Sequence, residues 1–169
     1  MASDDPVLFE VDADGVALIT LNRPDRMNAL GGDMIASLNS YYRQCDEDDS
    51  IRAVVVTGSG RAFCSGADMS DAEKTFDLSD SGGFDDFSAA AIDFPAFRIR
   101  KLVVAAVNGH AIGVGMTLAM QCDLRVFASA GKYGIVQVRR GVMGDAYSHW
   151  TMVRMVGLAK AAEMMLTGK

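Results

Sequence analysis

The sequence predicts an α/β domain in which an initial β-hairpin is followed by repeated strand–loop–helix units. Two runs of β-branched and small apolar residues, residues 52–57 and Leu102–Val107, are typical of strands buried on both faces of a parallel sheet. Each run leads into a glycine-containing loop and then into residues with helical spacing. In such folds the chemistry is expected in the loops beyond the carboxyl ends of the strands.

The first 30 residues predict a hairpin and a loop. The β-rich runs Val7–Val11 and Val16–Leu21 flank a turn that ends in Asp-Gly, a dipeptide typical of hairpins. Residues 22–30 follow as a loop, because Pro24 and two asparagines interrupt any regular pattern.

A helix is expected over residues 33–45, with Asp33 as its N-cap. Its apolar positions recur at helical spacing and are Met34, Ile35, Leu38, Tyr41 and Tyr42. The acidic run 46–49 is expected just beyond the helix, because negative charge is unfavourable at a helix C-terminus.

The rest of the chain predicts shorter elements. Residues 68–88 are polar and rich in Asp, Ser and Gly, which suggests a lid or an insertion. Residues 84–100 show helical stretches that are interrupted by Pro95. The later elements are a helix over 116–121, a strand over Leu124–Phe127, and helices over 145–156 and 159–166 that are separated at Gly157.

Composition narrows the possible functions. The 169 residues are expected to form a single domain, residues 1–169. A net charge of −6 and the lack of a basic cluster argue against nucleic-acid binding. The polar, acidic N-terminus and the lack of an apolar run of about 20 residues argue against secretion and against a membrane role. Three cysteines without CxxC spacing argue against disulfides and a metal site, so a cytoplasmic location is expected.

The loops after the two apolar runs are the most informative feature. A glycine-containing turn that enters a helix leaves main-chain N–H groups without intrahelical partners, and partial positive charge collects there. We call the turn after residues 52–57 the first elbow and the turn after Leu102–Val107 the second elbow. If they lie side by side, they could hold one oxyanion between two donors. The residues alone also allow a structural role, as close helix packing at 113–115 and a helix cap at 65–68. Segment 113–115 lacks the third glycine of a dinucleotide-binding fingerprint.

Three segments resemble the main motifs of the enoyl-CoA hydratase/isomerase (crotonase) superfamily. They are residues 21–30 (LNRPDRMNAL), 54–68 (VVVTGSGRAFCSGAD) and 107–115 (VNGHAIGVG), in that family's order and spacing. The resemblance implies a spiral of ββα units, an acyl-CoA thioester substrate and no cofactor other than the substrate's own CoA. It also implies assembly as a homotrimer or a hexamer. Members normally continue past Lys169, so the C-terminal helical part is expected to be truncated here.

The resemblance also implies roles by position. The main-chain amides of Ala67 and Val114 are expected to form an oxyanion hole. The channel for CoA is expected to be lined by the backbone of Met27, Asn28, Ala29, Ala67, Asp68 and Met69. Asp68 is interpreted as a structural residue at a helix start rather than as a catalytic one.

Hydratases of this superfamily use two glutamates, and this sequence departs from that pattern at both positions. Thr117 and Gln137 stand where the glutamates would be. Neither a hydroxyl nor an amide can act as a base near neutral pH. Ordinary hydratase chemistry is therefore not favoured.

Asp145 is the remaining acid near the predicted site. Its position resembles the one at which enoyl-CoA isomerases of this superfamily carry a carboxylate, so it is predicted to move a proton during double-bond migration. The alternative is that Asp145 is the N-cap of the helix that follows. His149, four residues later, would share a helix face with it, although a surface or packing role is favoured.

Several alternatives stay open at this level. His110 is interpreted as loop packing, and Cys64 as a small buried residue. The pair Arg139 and Arg140 fits contact with CoA phosphates, contact with a neighbouring subunit, or simple solvation. The functional alternatives are a catalytically impaired acyl-CoA-binding homologue, an enoyl-CoA hydratase, or another crotonase reaction such as thioester hydrolysis or decarboxylation.

Overall fold

The computed structural model describes residues 4–70, 92–144 and 146–169, in which eight strands and four α-helices are found. The strands are β1 (Val7–Val11), β2 (Val16–Leu21), β3 (Ala53–Gly58), β4 (Ala62–Cys64), β5 (Leu102–Val107), β6 (His110–Ile112), β7 (Leu124–Phe127) and β8 (Tyr133–Gly134). The helices are α1 (Gly32–Glu47), α2 (Val114–Met120), α3 (Ser148–Val156) and α4 (Leu158–Thr167). Three short 3₁₀ helices lie at Pro24–Arg26, Ala96–Arg98 and Gln137–Arg140.

The strands form two sheets, and the chain alternates between them. The larger sheet has the order β1-β2-β3-β5-β7 and the smaller one the order β4-β6-β8. Among the described strands, β1 and β2 alone pair antiparallel, as the predicted hairpin, and the other pairings are parallel. From β3 onwards, each odd strand joins the large sheet and the following even strand joins the small one. The predicted α/β fold is confirmed.

The core lies against one face of the large sheet. Alternate residues of β2, β3 and β5 are buried there, together with the inner face of α1. The largest fully buried side chains of this core include Ile19, Leu21, Val54, Val103, Met34, Leu38, Tyr42 and Phe63. The prediction that β3 and β5 are buried on both faces is wrong. Their other residues are half-buried or, at Leu102, exposed, because the described residues do not fully cover the second face.

Helix α1 is longer than predicted at both ends. It begins after Gly31, which is the N-cap in place of Asp33, and it includes Asp46 and Glu47. The acidic end is tolerated because two basic residues just before β5 contact it. Arg100 donates from its main-chain N and from Nε to the Asp46 carboxylate, at 2.8 and 3.0 Å. Lys101 Nζ donates to the Cys45 carbonyl at 2.7 Å and so binds the negative end of the helix.

The remaining differences are local. The two loops predicted after β3 and β5 each contain a three-residue strand, β4 and β6, and α2 starts two residues earlier than predicted. Most of the predicted lid or insertion, residues 71–88, lies outside the described residues, and so does most of the predicted helical stretch before Pro95. None of the helices in the described ranges is long and apolar enough to cross a bilayer.

Candidate active site

Two neighbouring strands of the small sheet place the two predicted elbows side by side. Strands β4 and β6 pair in parallel, with Ala62 opposite His110 and Cys64 opposite Ala111. The carboxyl ends of parallel strands meet at one edge of a sheet, so the residues after β4 and after β6 emerge together. The fold therefore brings the segment around Ala67 next to the segment around Val114.

The first elbow is held by a one-residue parallel bridge between Leu30 and Ala67. The Leu30 amide donates to the Gly66 carbonyl at 2.8 Å, and the Asp68 amide donates to the Leu30 carbonyl at 2.9 Å. Ala67 lies between Gly66 and Asp68, the two residues that bond to Leu30. In a parallel pairing the residue in this middle position points its own N–H away from the partner strand. The amide of Ala67 accordingly donates to no group within the described part of the chain.

The second elbow ends at the N-terminus of α2. Gly113, the N-cap, has a φ of 56°, a left-handed value that favours glycine. Its carbonyl accepts the amides of Met116 and Thr117, at 3.0 and 3.1 Å. Val114 is the first residue of the helix, so its amide has no intrahelical acceptor, and none is found elsewhere among the described residues.

The two elbows touch each other at Gly115. A Cβ atom at this position would lie 2.2 Å from the carbonyl oxygen of Cys64 and 2.8 Å from the Cys64 Cβ. No side chain fits in that space, so glycine is required for the close approach of α2 to β4. Cys64 itself is buried, as predicted.

A cavity of about 570 Å³ opens beside the elbows. Its lining residues come from both elbows and from the segment around the 3₁₀ helix Gln137–Arg140, and they are Ser65, Gly66, Ala67, Met69, Ile112, Gly113, Val114, Val136, Gln137, Arg140 and Val142. Ala67 and Val114 thus line one cavity, whose size is typical of small-molecule sites. The sequence did not indicate that Arg140 and Val142 would belong to this wall.

The turn at Met27, Asn28 and Ala29 lies behind the first elbow and does not line this cavity. The Asn28 side chain is fully buried, and it accepts the Arg23 amide at 2.8 Å and donates to the carbonyls of Ser59 and Ala62. The Met27 carbonyl accepts the Ser65 amide at 3.0 Å. The amides of all three residues donate within the turn itself. The turn therefore braces the elbow, which the sequence did not predict.

The Asp68 carboxylate is held by hydrogen bonds and ion pairs with neighbouring residues, whereas the helix predicted to start there lies outside the described residues. One carboxylate oxygen accepts the Ser70 amide at 3.1 Å, and the other forms ion pairs with Arg23 at 2.9 Å and Arg26 at 3.4 Å. The hydrogen bonds from Ser70 and the neighbouring Arg23 lower the pKa of Asp68 to about 2. A carboxylate held in this way is a poor proton acceptor near neutral pH.

Thr117 and Gln137, at which the family resemblance places the glutamates of hydratases, are buried near the second elbow. Thr117 is fully buried in α2, and its hydroxyl donates to the Val114 carbonyl at 3.1 Å. Gln137 is on the cavity wall, with 9% of its surface exposed. Neither side chain supplies a carboxylate to the cavity.

Asp145, the predicted acid, lies outside the described residues, but its neighbours are described. Ala146 and Tyr147 both have left-handed backbones, with φ of 46° and 64°. The buried Gln121 donates to the Ala146 carbonyl at 3.1 Å and ties this turn to the end of α2. Helix α3 begins only at Ser148, with Tyr147 as its N-cap. The alternative prediction, that Asp145 caps this helix, concerns a residue outside the described part of the chain.

The two histidines lie away from the chemistry. His149 is exposed in α3, and the prediction that it shares a helix face with Asp145 concerns a residue outside the described part of the chain. His110 accepts the Lys132 amide at Nδ1 at 3.0 Å, which confirms its interpretation as loop packing. Within residues 4–70, 92–144 and 146–169, no group of three or more His, Cys, Asp or Glu side chains could hold a metal ion.

Comparisons with known proteins identify the family. Residues 12–169 match the sequence model of the family described as enoyl-CoA hydratase/isomerase. A protein of Dictyostelium discoideum described as a probable mitochondrial enoyl-CoA hydratase is 37% identical over 153 residues, which are 90% of this chain and 54% of that protein. An enoyl-CoA hydratase of Alternaria alternata is 35% identical over 162 residues, 93% of this chain and 52% of that protein.

Solved structures agree with the sequence comparison. A crystal structure of a probable enoyl-CoA hydratase/isomerase from Mycobacterium abscessus superposes with a TM-score of 0.86 at 46% identity. The match covers 96% of this chain and 61% of that one. The present chain spans about half the length of the two curated relatives. On these grounds the chain belongs to the enoyl-CoA hydratase/isomerase family, the crotonase superfamily.

Proposed function

We propose that this chain binds an acyl-CoA thioester and holds its carbonyl oxygen between the amides of Ala67 and Val114. The observation that carries the proposal is that both amides are free of acceptors in the described structure and belong to residues lining one cavity. Such donors stabilise the negative charge that develops on a thioester oxygen. The relatives named as enoyl-CoA hydratases or hydratase/isomerases support this substrate class.

We further propose that the reaction is migration of a double bond in an enoyl-CoA. Polarisation of the thioester makes a carbon-bound proton acidic, and Asp145 removes it to leave a dienolate held by the two amides. Asp145 then returns the same proton to a different carbon, so the reaction is balanced without water or a second substrate. The absence of carboxylates at Thr117 and Gln137 favours this reaction over hydration, which in this family uses two acids.

The test of this proposal is Asp145→Asn, which keeps the size of the side chain but removes its basicity. Wild type should interconvert 3-enoyl-CoA and 2-enoyl-CoA, as followed by chromatography and mass spectrometry of the products. The variant should lose about 10²–10⁴-fold in kcat. Binding of a saturated acyl-CoA, measured by calorimetry, should stay within about twofold of wild type. Retained turnover in Asp145→Asn would exclude Asp145 as the acid and base.

A second candidate is an acyl-CoA-binding homologue without catalysis. The substitutions of both hydratase glutamates favour it. Wild-type protein that binds acyl-CoA but converts no 2-enoyl-, 3-enoyl- or dienoyl-CoA would support this candidate over the isomerase.

A further inference from the structure

One wall of the cavity carries a cation that the proposed reaction does not use. The 3₁₀ helix Gln137–Arg140 has about three residues per turn, so side chains three positions apart lie on the same side. Gln137 and Arg140 are three apart, and both line the cavity, whereas Val138 and Arg139 do not. The geometry of this short helix therefore places Gln137 and Arg140 together on the cavity wall.

Arg140 is the only charged residue among the described residues that line the cavity. The wall is otherwise dominated by aliphatic side chains, namely Met69, Ile112, Val114, Val136 and Val142. Arg140 forms no ion pair or hydrogen bond with the described residues. Other arginines of the chain, such as Arg23 and Arg100, are neutralised by carboxylates. Among the described residues of the cavity wall, Arg140 is thus a positive charge without a paired carboxylate.

Arg140 is exposed, so its guanidinium is solvated, and an aliphatic acyl chain that covered it would be disfavoured. Covering a guanidinium with methylene groups removes its water and supplies no hydrogen bonds in return. A carboxylate does the opposite, because it accepts two parallel N–H bonds from a planar guanidinium. In hydratases of the family a glutamate at position 137 would repel such an anion, and here the residue is an uncharged glutamine.

We propose that the acyl group of the substrate carries a carboxylate, which Arg140 binds with the Gln137 amide beside it. This inference rests on the proposed function, since it takes the thioester oxygen to lie at Ala67 and Val114 in the same cavity. The phosphates of CoA are separated from the thioester by the whole pantetheine arm. An anion that shares a compact cavity with the thioester therefore belongs to the acyl group.

The experiment compares two enoyl-CoA thioesters of equal chain length, one ending in a methyl group and the other in a carboxylate. Wild type should favour the carboxylate-terminated thioester in kcat/KM by about 10- to 100-fold, the range expected for charge-assisted hydrogen bonds. Arg140→Ala should abolish that preference mainly through KM. Arg140→Lys should keep part of it, because an ammonium retains the charge without the planar fork.

Arg139→Ala is the matched control, because it removes the same charge from the neighbouring residue, which does not line the cavity. It should keep the preference of wild type. Circular dichroism establishes that each variant is folded. Equal losses for both thioesters in Arg140→Ala would overturn the inference and show that Arg140 serves the CoA moiety. No preference in wild type would also overturn it.

Calorimetry in the Asp145→Asn background separates this inference from the proposed function. Binding of the two thioesters is measured there without turnover, and tighter binding of the carboxylate-terminated thioester supports the role of Arg140. If both bind equally, only the inference about the carboxylate fails. If neither thioester binds, the proposed function itself fails.

Discussion

Individual residues contribute to this site mainly through their main chain. The side chains of Ala67 and Val114 carry no polar group. The bridge to Leu30 leaves the amide of Ala67 without an acceptor within the described structure, and the start of α2 does the same for the amide of Val114. The glycines indicated the two elbows, whereas the choice of these two amides was implied by the family resemblance. The bracing by Asn28 was not predictable, because its acceptors at Ser59 and Ala62 lie more than 30 residues away.

Removal of the Val114 N–H tests whether this main-chain amide stabilises the thioester oxygen. Val114→Pro is expected to lower kcat by about 10²–10³-fold, because proline has no N–H to donate to the thioester oxygen. Proline is tolerated at the first position of a helix, so α2 should survive. Val114→Ala keeps the amide and is the matched control, for which kcat should change little. Steady-state kinetics measure both variants, and equal losses in the two would show that the side chain and not the amide is required.

Secondary-structure elements were predictable where local pattern decides them. Strands β1, β2, β5 and β7 lie where alternation and apolar runs placed them. Helix α1 exceeded its prediction because its acidic end is compensated by Arg100 and Lys101, which are distant in sequence. Helix α3 starts later than predicted because Ala146 and Tyr147 adopt left-handed backbones. Neither residue is a glycine, so the sequence contained no signal for this turn.

The close contact between α2 and β4 can be tested by enlarging the side chain at Gly115. Gly115→Ala should place a methyl group in contact with the Cys64 carbonyl and push α2 away from β4. We expect a loss of about 1–3 kcal/mol in the free energy of unfolding, measured by urea denaturation, together with lower kcat. Gly32→Ala is the control, because a Cβ there meets no atom within 4 Å. Equal stability of Gly115→Ala and wild type would contradict the close approach.

For the molecule as a whole, the family resemblance implied a spiral of ββα units, but it did not indicate which charged residues pair with each other. Asp68 joins Arg23 and Arg26 of the N-terminal loop to the first elbow across some 40 residues of sequence. Which arginine pairs with which acid depends on the tertiary fold. The order of charged residues along the chain does not predict these ion pairs.

Asp68 therefore makes global stability depend on pH. Its pKa in the folded protein is about 2, below the value near 3.9 expected in an unfolded chain. The stabilisation by its hydrogen bonds from Ser70 and its ion pair with Arg23 is thus complete above about pH 4 and is lost as the pH falls towards 2. Asp68→Asn should unfold at lower urea than wild type at pH 7, and the difference should shrink between pH 4 and pH 2. Asp25→Asn, a change at an exposed acid of the same loop, should leave the midpoint nearly unchanged at every pH. If the difference in urea midpoint between Asp68→Asn and wild type is the same at pH 7 and at pH 2, the proposed pH dependence is wrong.

The alternation of strands between two sheets also governs how the chain reaches its native state. Among the described strands, only β1 and β2 are paired through a short turn. The other pairings join residues far apart in the sequence, such as Val16 with Ala53, Ala53 with Leu102 and Ala62 with His110. Each of these registers requires the closure of a long loop before any hydrogen bond compensates for the lost chain entropy. Folding is consequently slow compared with that of a helical bundle of this size. Until the last strand docks, the apolar runs of β3 and β5 are open to pairing with other chains, so dilution and low temperature should favour refolding over aggregation.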